Sequence, residues 1–338
     1  DQVETMNQVF KERKGDFDGY YEFRRKRMNL DRLKPYDLQL SLLKSPDQKY
    51  SYEDTLVNIS ASYAQMAPAF QEIFLQTATS GSIDVYPNPE GGKRPGGYCQ
   101  DMCALNRPAL IFMNYKGLID DQRTLTHEMG HAINFYLMGS NVDYLYCTGT
   151  EYEMEIPSTF NEELFVDYAL ANYDRETALA VLADSINDYV NYFTFQPMIT
   201  EFEDAAHDLC RQKGNLSGRE LNQLWTSLSR QYRTSLVDYY AEDNAQWTYV
   251  SHIYFTNNYY TFSYALSKAI TLSLFKMYKE DPQKFNGNYA AYLSAGSTMT
   301  PPDKLKEFFG IEIDRRLFED AMDVVEKRVE QLQQLEGK

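Results

Sequence analysis

The chain has 338 residues, enough to bury a substantial core and to enclose an active site. Its 49 acidic and 33 basic residues give a formal net charge of -16, which repels phosphate backbones and anionic lipid and argues against nucleic acid or membrane surfaces as partners. No run approaches the roughly 20 apolar residues of a membrane span, and four cysteines are too few for a disulfide scaffold, so the sequence predicts a soluble, cytoplasmic protein with free thiols.

Helical periodicity dominates the chain. In the segment 51–78, Ser51 is placed to cap a helix with Asp54 three residues later, and one face collects the apolar side chains of Leu56, Ile59, Tyr63, Met66 and Phe70. Further helices are predicted over residues 119–138, 158–173, 176–212, 217–240, 257–280 and 312–334. The sequence therefore predicts a mainly α fold.

One interval, residues 82–115, breaks the helical pattern. Two short β-type runs flank a turn rich in glycine and proline, which predicts a small antiparallel sheet beside the helices. No repeat, low-complexity tract or linker marks a boundary. We therefore predict a single catalytic domain over 1–338, with a helical lead-in at 1–80, the β region at 82–115 and a helical region at 119–338.

The segment THEMGHA carries a pattern that points to metal chemistry. A helix advances about 100° per residue, so His127 and His131 share a face and both imidazoles can reach one ion. Glu128, one residue on, is placed to act on a metal-bound water without binding the metal, as in the HExxH motif of zinc hydrolases. A five-residue pattern can match by chance, so further evidence is needed. Gly130 costs about 1 kcal/mol relative to alanine in a helix interior, and this cost indicates close packing around a site.

The neighbours of this motif extend the hypothesis. The strand-like run ALIFMNY precedes it, as expected if a sheet edge borders a cleft and pairs with an extended peptide. The carboxylate-rich run EYEMEIPSTFNEEL follows it and should contain a third metal ligand. A thermolysin-like spacing favours Glu151, but helical geometry alone leaves Glu151, Glu153, Glu155 and Glu162 as candidates.

THEMGHA followed by EIPSTFNE resembles the thimet oligopeptidase and oligoendopeptidase F family of zinc peptidases. The segments GKRPGGYC, FQPMITEFEDAAHDL and YLSAGSTMTPPDKLKEFFGIEI are similar to other parts of the same family, so the resemblance covers roughly residues 35–315. It implies a zincin-like helical metallopeptidase with a small sheet beside the active-site helix.

The resemblance also implies roles for individual residues. Glu155 matches the third zinc ligand, and Glu162 matches the carboxylate that orients a ligand histidine. His252 and a tyrosine from the following segment would donate to the oxyanion. Tyr264 matches that tyrosine, with Tyr259 and Tyr260 as alternatives because the loop length differs from that of the family. His207 is expected to be structural.

The implied activity is that of a zinc-dependent endopeptidase with one Zn2+ per chain. It would hydrolyse internal bonds of short peptides through a zinc-activated water, with Glu128 as general base. The alternatives are a zinc metallocarboxypeptidase of the related helical HExxH type and a non-catalytic peptide-binding relative. Family members carry an N-terminal helical region that covers the substrate channel, and this region is expected to be missing here, either because the chain is the catalytic part of a longer protein or because it is a shorter relative with a more open cleft.

Overall fold

The computed structural model describes residues 2–40, 42, 49–105, 107–256 and 259–337. Its first seven α-helices are α1 (Gln2–Arg13), α2 (Asp18–Arg27), α3 (Tyr52–Ser62), α4 (Pro68–Thr79), α5 (Ile119–Asn141), α6 (Glu151–Asn172) and α7 (Arg175–Val190). They are followed by α8 (Gln196–Lys213), α9 (Gly218–Tyr232), α10 (Ser251–Phe255), α11 (Thr261–Glu280), α12 (Pro282–Ser294), α13 (Pro301–Phe309) and α14 (Arg315–Glu336). The predicted mainly α class is confirmed. Among the described residues, no helix has both the length and the apolar character that crossing a bilayer requires.

Three short strands form a sheet within the interval predicted at 82–115. β1 (Ile83–Asp84) runs parallel to the central strand β3 (Leu110–Phe112), and β2 (Tyr98–Gln100) pairs antiparallel with the other edge of β3. The small sheet is therefore present, but it is mixed, whereas the sequence predicted antiparallel pairing throughout. The reason is the long connection between β1 and β3, which acts as a crossover and lets these two strands run in the same direction.

Proline accounts for two differences from the predicted helices. Ser51 caps α3 as predicted, with its Oγ accepting a hydrogen bond from the backbone N–H of Asp54 at 3.0 Å, but Pro68 begins a separate helix, α4. Proline suits the first turn of a helix because the N–H it lacks would have no partner there. The predicted helix 176–212 contains a π-helical turn, Asn191–Phe195, that ends two residues before Pro197. Proline cannot donate a helical hydrogen bond.

Two other predicted helices are shorter than expected. The helix predicted over 217–240 ends at Tyr232, and Val237 instead forms an isolated parallel bridge with Leu33. The helix predicted over 257–280 begins at Thr261, because Tyr259 adopts a φ of 62°, which helical backbone does not allow. Residues 257 and 258 of that prediction lie outside the described residues.

Contacts divide the chain into two compact units. The first unit comprises Asp1–Lys44, Leu182–Ile270 and Ile313–Lys338, and the second comprises Ser45–Val181 and Thr271–Glu312. In the first unit, α1 packs on α14, and the Phe10 ring lies 4.6 Å from that of Phe193 and 5.8 Å from that of Phe318. The prediction of one catalytic domain over 1–338 stays a prediction.

The core of the second unit holds the two helices that matter for the candidate site. α5 packs along α6 and also against α12. The fully buried ring of Phe160 on α6 stacks on Phe285 of α12 at 5.3 Å between centroids and lies 4.7 Å from Tyr289 of the same helix. The helix with the histidine pair is therefore fixed against the helix with the carboxylate run.

Candidate metal centre

Two imidazoles and one carboxylate converge in the second unit. His127 and His131 project from α5 with ring centroids 5.0 Å apart. Oε2 of Glu155, on α6, lies 3.4 Å from Nε2 of His127 and 3.6 Å from Nε2 of His131, and the three potential ligand atoms all lie within 4.8 Å of one another. A tetrahedral zinc ion with metal–ligand bonds of about 2.0–2.2 Å separates its ligand atoms by roughly 3.3 Å. The donor set and its spacing fit such an ion.

Further contacts orient all three of these side chains. Nδ1 of His127 donates to Oε1 of Glu162 at 2.7 Å, and the ring of His131 hydrogen-bonds the backbone of Met154. The hydroxyl of Ser158 donates to Oε2 of Glu155 at 3.0 Å. Hydrogen bonds of this kind fix the tautomer and direction of metal-binding side chains, so the atoms that face one another are held in place.

The other two carboxylates that sequence geometry left open point elsewhere. Glu151 is exposed at the first position of α6. Glu153 is buried, and its Oε1 accepts a hydrogen bond from Nζ of Lys304 at 3.1 Å, while its Oε2 accepts one from the backbone N–H of Thr150 at 3.0 Å. Of the four candidates, the structure brings Glu155 to the histidine pair and Glu162 to the outer nitrogen of His127.

The Glu153–Lys304 pair is expected to support the fold and not the metal. Both side chains are only 6% exposed, and Lys304 also donates to the backbone oxygen of Gly296 at 3.0 Å. Removing one member of a buried ion pair leaves the other charge without a partner. Lys304→Met should therefore lower the free energy of unfolding by about 3–5 kcal/mol in chemical denaturation. The control Lys306→Met removes an exposed lysine from the same helix and should leave stability unchanged, and equal effects of both variants would contradict this role.

Glu128 is buried but is not one of the three converging side chains. Its side chain belongs to the buried face of α5, and a Cβ on Gly97 would come within 3.2 Å of its Oε1. Burial raises the pKa of Glu128 to about 7, opposed by the charge of His127 and aided by Glu155 and Glu162. A carboxyl group of this kind can both accept and deliver a proton near neutral pH.

The two carboxylates beside His127 favour the protonated form of its ring. Burial favours the neutral form of this ring, but hydrogen bonds to Glu155 and Glu162 outweigh it and raise the pKa of His127. Burial and the nearby positive charge of His127 lower the pKa of His131. A cation bound at Nε2 of His127 has to displace a proton, so affinity for a metal should weaken as the pH falls.

The predicted oxyanion donors form a ring cluster in the first unit. His252 lies on α10, and its ring stacks on Tyr260 at 5.4 Å between centroids with an interplanar angle of 12°. The hydroxyl of Tyr264 lies 3.5 Å from Nε2 of His252, and the rings of Tyr260 and Tyr264 are 5.3 Å apart. The structure therefore brings these three predicted residues together.

Tyr259 is separated from that cluster. Its ring lies 5.9 Å from that of His207, and its backbone N–H donates to Oε1 of Glu203 at 3.3 Å. Of the three tyrosines predicted as alternatives, Tyr260 and Tyr264 have contact with His252, whereas Tyr259 packs on the histidine that was expected to be structural.

A protein-family model supplies the identification. The model of Peptidase family M3 matches residues 2–324. The chain belongs to peptidase family M3. The resemblance recognised in the sequence is thereby confirmed, and the described HExxH helix and carboxylate helix belong to a family M3 chain.

Individual relatives agree with the family M3 assignment. Oligopeptidase PepF of Bacillus subtilis is 26% identical over 323 residues, which cover 93% of this chain and 47% of that protein. An oligoendopeptidase F homolog of Borreliella burgdorferi is 26% identical over 337 residues, which cover 98% of this chain and 55% of that protein. The chain thus spans about half the length of the curated relatives it matches.

Solved structures share the fold. The oligoendopeptidase F of Enterococcus faecium superposes with a TM-score of 0.73 at 22% identity, over 99% of this chain and 52% of that chain. A protein from Chlamydophila abortus superposes with a TM-score of 0.88 at 20% identity, over 99% of this chain and 55% of that chain. At these identities the likeness establishes the family M3 fold alone.

At Gly130, α5 lies against the backbone of α6. A Cβ at this position would lie 2.5 Å from Cα of Ser158 and would also meet the backbone oxygen of Pro157. A side chain would therefore push α6, and with it Glu155, away from the histidine pair. The sequence-based expectation that this glycine reflects close packing is confirmed.

Gly130→Ala is expected to lower the free energy of unfolding by about 1–3 kcal/mol through overpacking, and to weaken zinc binding at the same time. Thermal unfolding and competition titration against a chelator measure the two effects. Gly139→Ala is the matched control on the same helix, because its Cβ would lie 3.6 Å from the nearest atom, Sγ of Cys103. Unchanged zinc affinity in Gly130→Ala would contradict the link between this contact and the site.

Sequence reasoning missed Ser158 and Gly97, which lie beside the site, and Lys304, which holds Glu153 away from it. Ser158, which hydrogen-bonds Glu155, was only part of the segment that marked the resemblance. Lys304, the partner of Glu153, lies 151 residues away in sequence and left no local signal. Gly97, beside Glu128, belongs to the glycine-rich GKRPGGYC segment, and its lack of a side chain was a signal that could have been used.

Proposed function

We propose that this chain is a zinc-dependent endopeptidase that hydrolyses internal bonds of short peptides. The observation that carries the proposal is the convergence of two imidazoles and a carboxylate within 4.8 Å, beside the buried Glu128. The relatives named oligopeptidase and oligoendopeptidase support the same activity. The free cysteines support a reducing compartment, the cytoplasm, as its location.

In this proposal, His127, His131 and Glu155 would hold one Zn2+ for each chain. Glu162 holds the ring of His127 by its outer nitrogen, as the hydrogen bond of 2.7 Å supports, and makes the imidazole a better donor. Zinc, when bound, supplies Lewis acidity that lowers the pKa of a water and polarises a peptide carbonyl.

Glu128 is the proposed general base and acid. With a pKa raised to about 7 by burial, its carboxylate accepts a proton from the attacking water and returns it to the leaving amine. Its place one residue after His127 keeps it next to the ligands but turned by about 100° around the helix. It can therefore act on the water without taking a ligand position.

His252 and Tyr264 are the proposed donors to the oxyanion that forms when the carbonyl is attacked. The hydroxyl of Tyr264 lies 3.5 Å from Nε2 of His252, which supports donation by both groups to the same oxyanion. Tyr260 stacks on the same imidazole. Removing one such donor typically costs on the order of 10² to 10³ in kcat. Such a loss would occur without release of metal, which separates a donor from a ligand.

The test combines a metal assay with mass spectrometry of products from a peptide library whose members are acetylated at the N-terminus and amidated at the C-terminus. An endopeptidase contains about one zinc per chain and cleaves these blocked peptides internally, with loss of cleavage on chelation. A carboxypeptidase requires a free C-terminus and leaves them intact. A non-catalytic relative cleaves neither blocked nor free peptides, and either of these two results would overturn the proposal.

A further inference from the structure

A cavity of about 710 Å³ lies entirely within the first unit. Its lining includes Gln196 at the start of α8, Arg233 directly after α9, Gln246 and His252. This volume falls in the range of roughly 300–1,000 Å³ that is typical of small-ligand sites. The chemistry of the lining therefore indicates what the cavity can bind.

Arg233 brings a half-buried positive charge to this cavity. Its Nη1 is buried and has no hydrogen-bond partner, and within the described residues no carboxylate forms an ion pair with its guanidinium. The face of Tyr239 lies 5.6 Å from it, and Asp243 attracts it only at longer range. A buried donor without an acceptor costs free energy, so this arrangement makes Nη1 of Arg233 available to an acceptor on a ligand.

Two amide oxygens of the same cavity also lack donors. Nε2 of Gln246 donates to Oδ1 of Asp243 at 3.4 Å, and Oε1 of Gln246 is buried with no donor among the residues that the structure describes. Oε1 of Gln196 is likewise buried, with no donor among the described residues. Buried carbonyl oxygens require N–H donors, so the cavity combines the guanidinium of Arg233 with two acceptors for N–H groups, and the carboxylate of Asp188 also lines it.

We propose that this cavity binds a peptide carboxylate together with the N–H group next to it, with Arg233 on the carboxylate and Gln196 and Gln246 on the N–H. The C-terminal residue of a peptide carries both groups, and a planar guanidinium matches a carboxylate with two parallel hydrogen bonds. The inference rests on the proposed function for the class of ligand. His252, a proposed donor to the oxyanion, lines the same cavity.

Calorimetric titration of the chelator-treated protein tests the proposal. The probes are acetyl-Ala-Ala with a free C-terminus, its C-terminal amide, and acetyl-glutamyl-amide, whose carboxylate belongs to the side chain. The free acid should bind at least about 10-fold more tightly than the amide, as expected for a charged hydrogen-bonded pair, and more tightly than the glutamyl compound. Because zinc is absent, the result does not depend on metal binding or peptide hydrolysis, and a failure of the proposed function would leave it unaffected.

Arg233→Met should remove the preference for the free acid, and Arg233→Lys should retain part of it. Arg230→Met is the matched control, since Arg230 is exposed on α9 one turn earlier, and it should bind like the unmodified chain. Equal binding of acid and amide by the unmodified chain, or an undiminished preference in Arg233→Met, overturns the proposal. Tighter binding of the glutamyl compound assigns the cavity to an acidic side chain and overturns the C-terminal form.

Discussion

Glu155→Ala is expected to lower zinc affinity by at least about 100-fold and to abolish peptide hydrolysis with it. Loss of an outer hydrogen bond to a ligand costs 10- to 100-fold in metal affinity, and Glu155 is placed as a direct ligand, with Oε2 at 3.4 and 3.6 Å from the two imidazole nitrogens. Competition titration against a chelator of known affinity measures the loss. Addition of excess zinc should restore part of the activity.

Glu151→Ala is the matched control for that variant. It makes the same change four residues earlier on the same helix, at an exposed position, and should bind zinc like the unmodified chain. Thermal unfolding of the two variants shows whether either change disturbs α6 itself. Loss of zinc in Glu151→Ala with retention in Glu155→Ala would show that the assignment of the third ligand is wrong.

Glu128→Gln is expected to lower kcat on the order of 10² to 10⁴-fold while zinc stays at about one ion per chain. The amide keeps the size of the carboxyl group but cannot accept the proton of the attacking water. Steady-state hydrolysis of an internally quenched peptide and metal analysis of the same preparation measure the two properties. This variant therefore separates peptide hydrolysis, which needs a proton acceptor, from zinc binding, which needs only the ligands.

Glu151→Gln is the control for the isosteric change and should retain full activity. A second comparison, Glu162→Gln, should weaken zinc binding 10- to 100-fold through its effect on His127 and should recover activity when zinc is in excess. Ordinary turnover by Glu128→Gln with bound zinc would remove Glu128 from its proposed role. Loss of zinc from Glu128→Gln would instead show that Glu128 is itself a zinc ligand, contrary to the set of His127, His131 and Glu155.

Features that depend on local backbone geometry could be predicted from the sequence. The period of an α-helix places His127 and His131 on one face and turns Glu128 away from them, and the structure has this arrangement. Ser51 caps α3 by a contact that spans three residues. The cost of glycine in a helix interior identified Gly130 as a position of close packing, and its approach to Ser158 agrees.

Features that depend on distant segments could not be predicted in this way. Glu151, Glu153, Glu155 and Glu162 are equivalent to local reasoning, and only a resemblance to a family singled out Glu155. The structure separates them through the contacts of α6, with Glu153 directed to Lys304 and Glu162 to His127. The parallel pairing of β1 with β3 likewise depends on how a long connection crosses the sheet.

The sequence by itself therefore determined the mainly α class, the histidine pair with its adjacent glutamate, and the family. Tertiary structure decided between the carboxylates that helical geometry left open, set which of the alternative tyrosines contact His252, and formed the cavity that Arg233 lines. The physical reason is the distance along the sequence between the residues that interact. Helical geometry fixes the relative directions of side chains a few residues apart, whereas contacts between helices far apart in sequence depend on how the whole core packs.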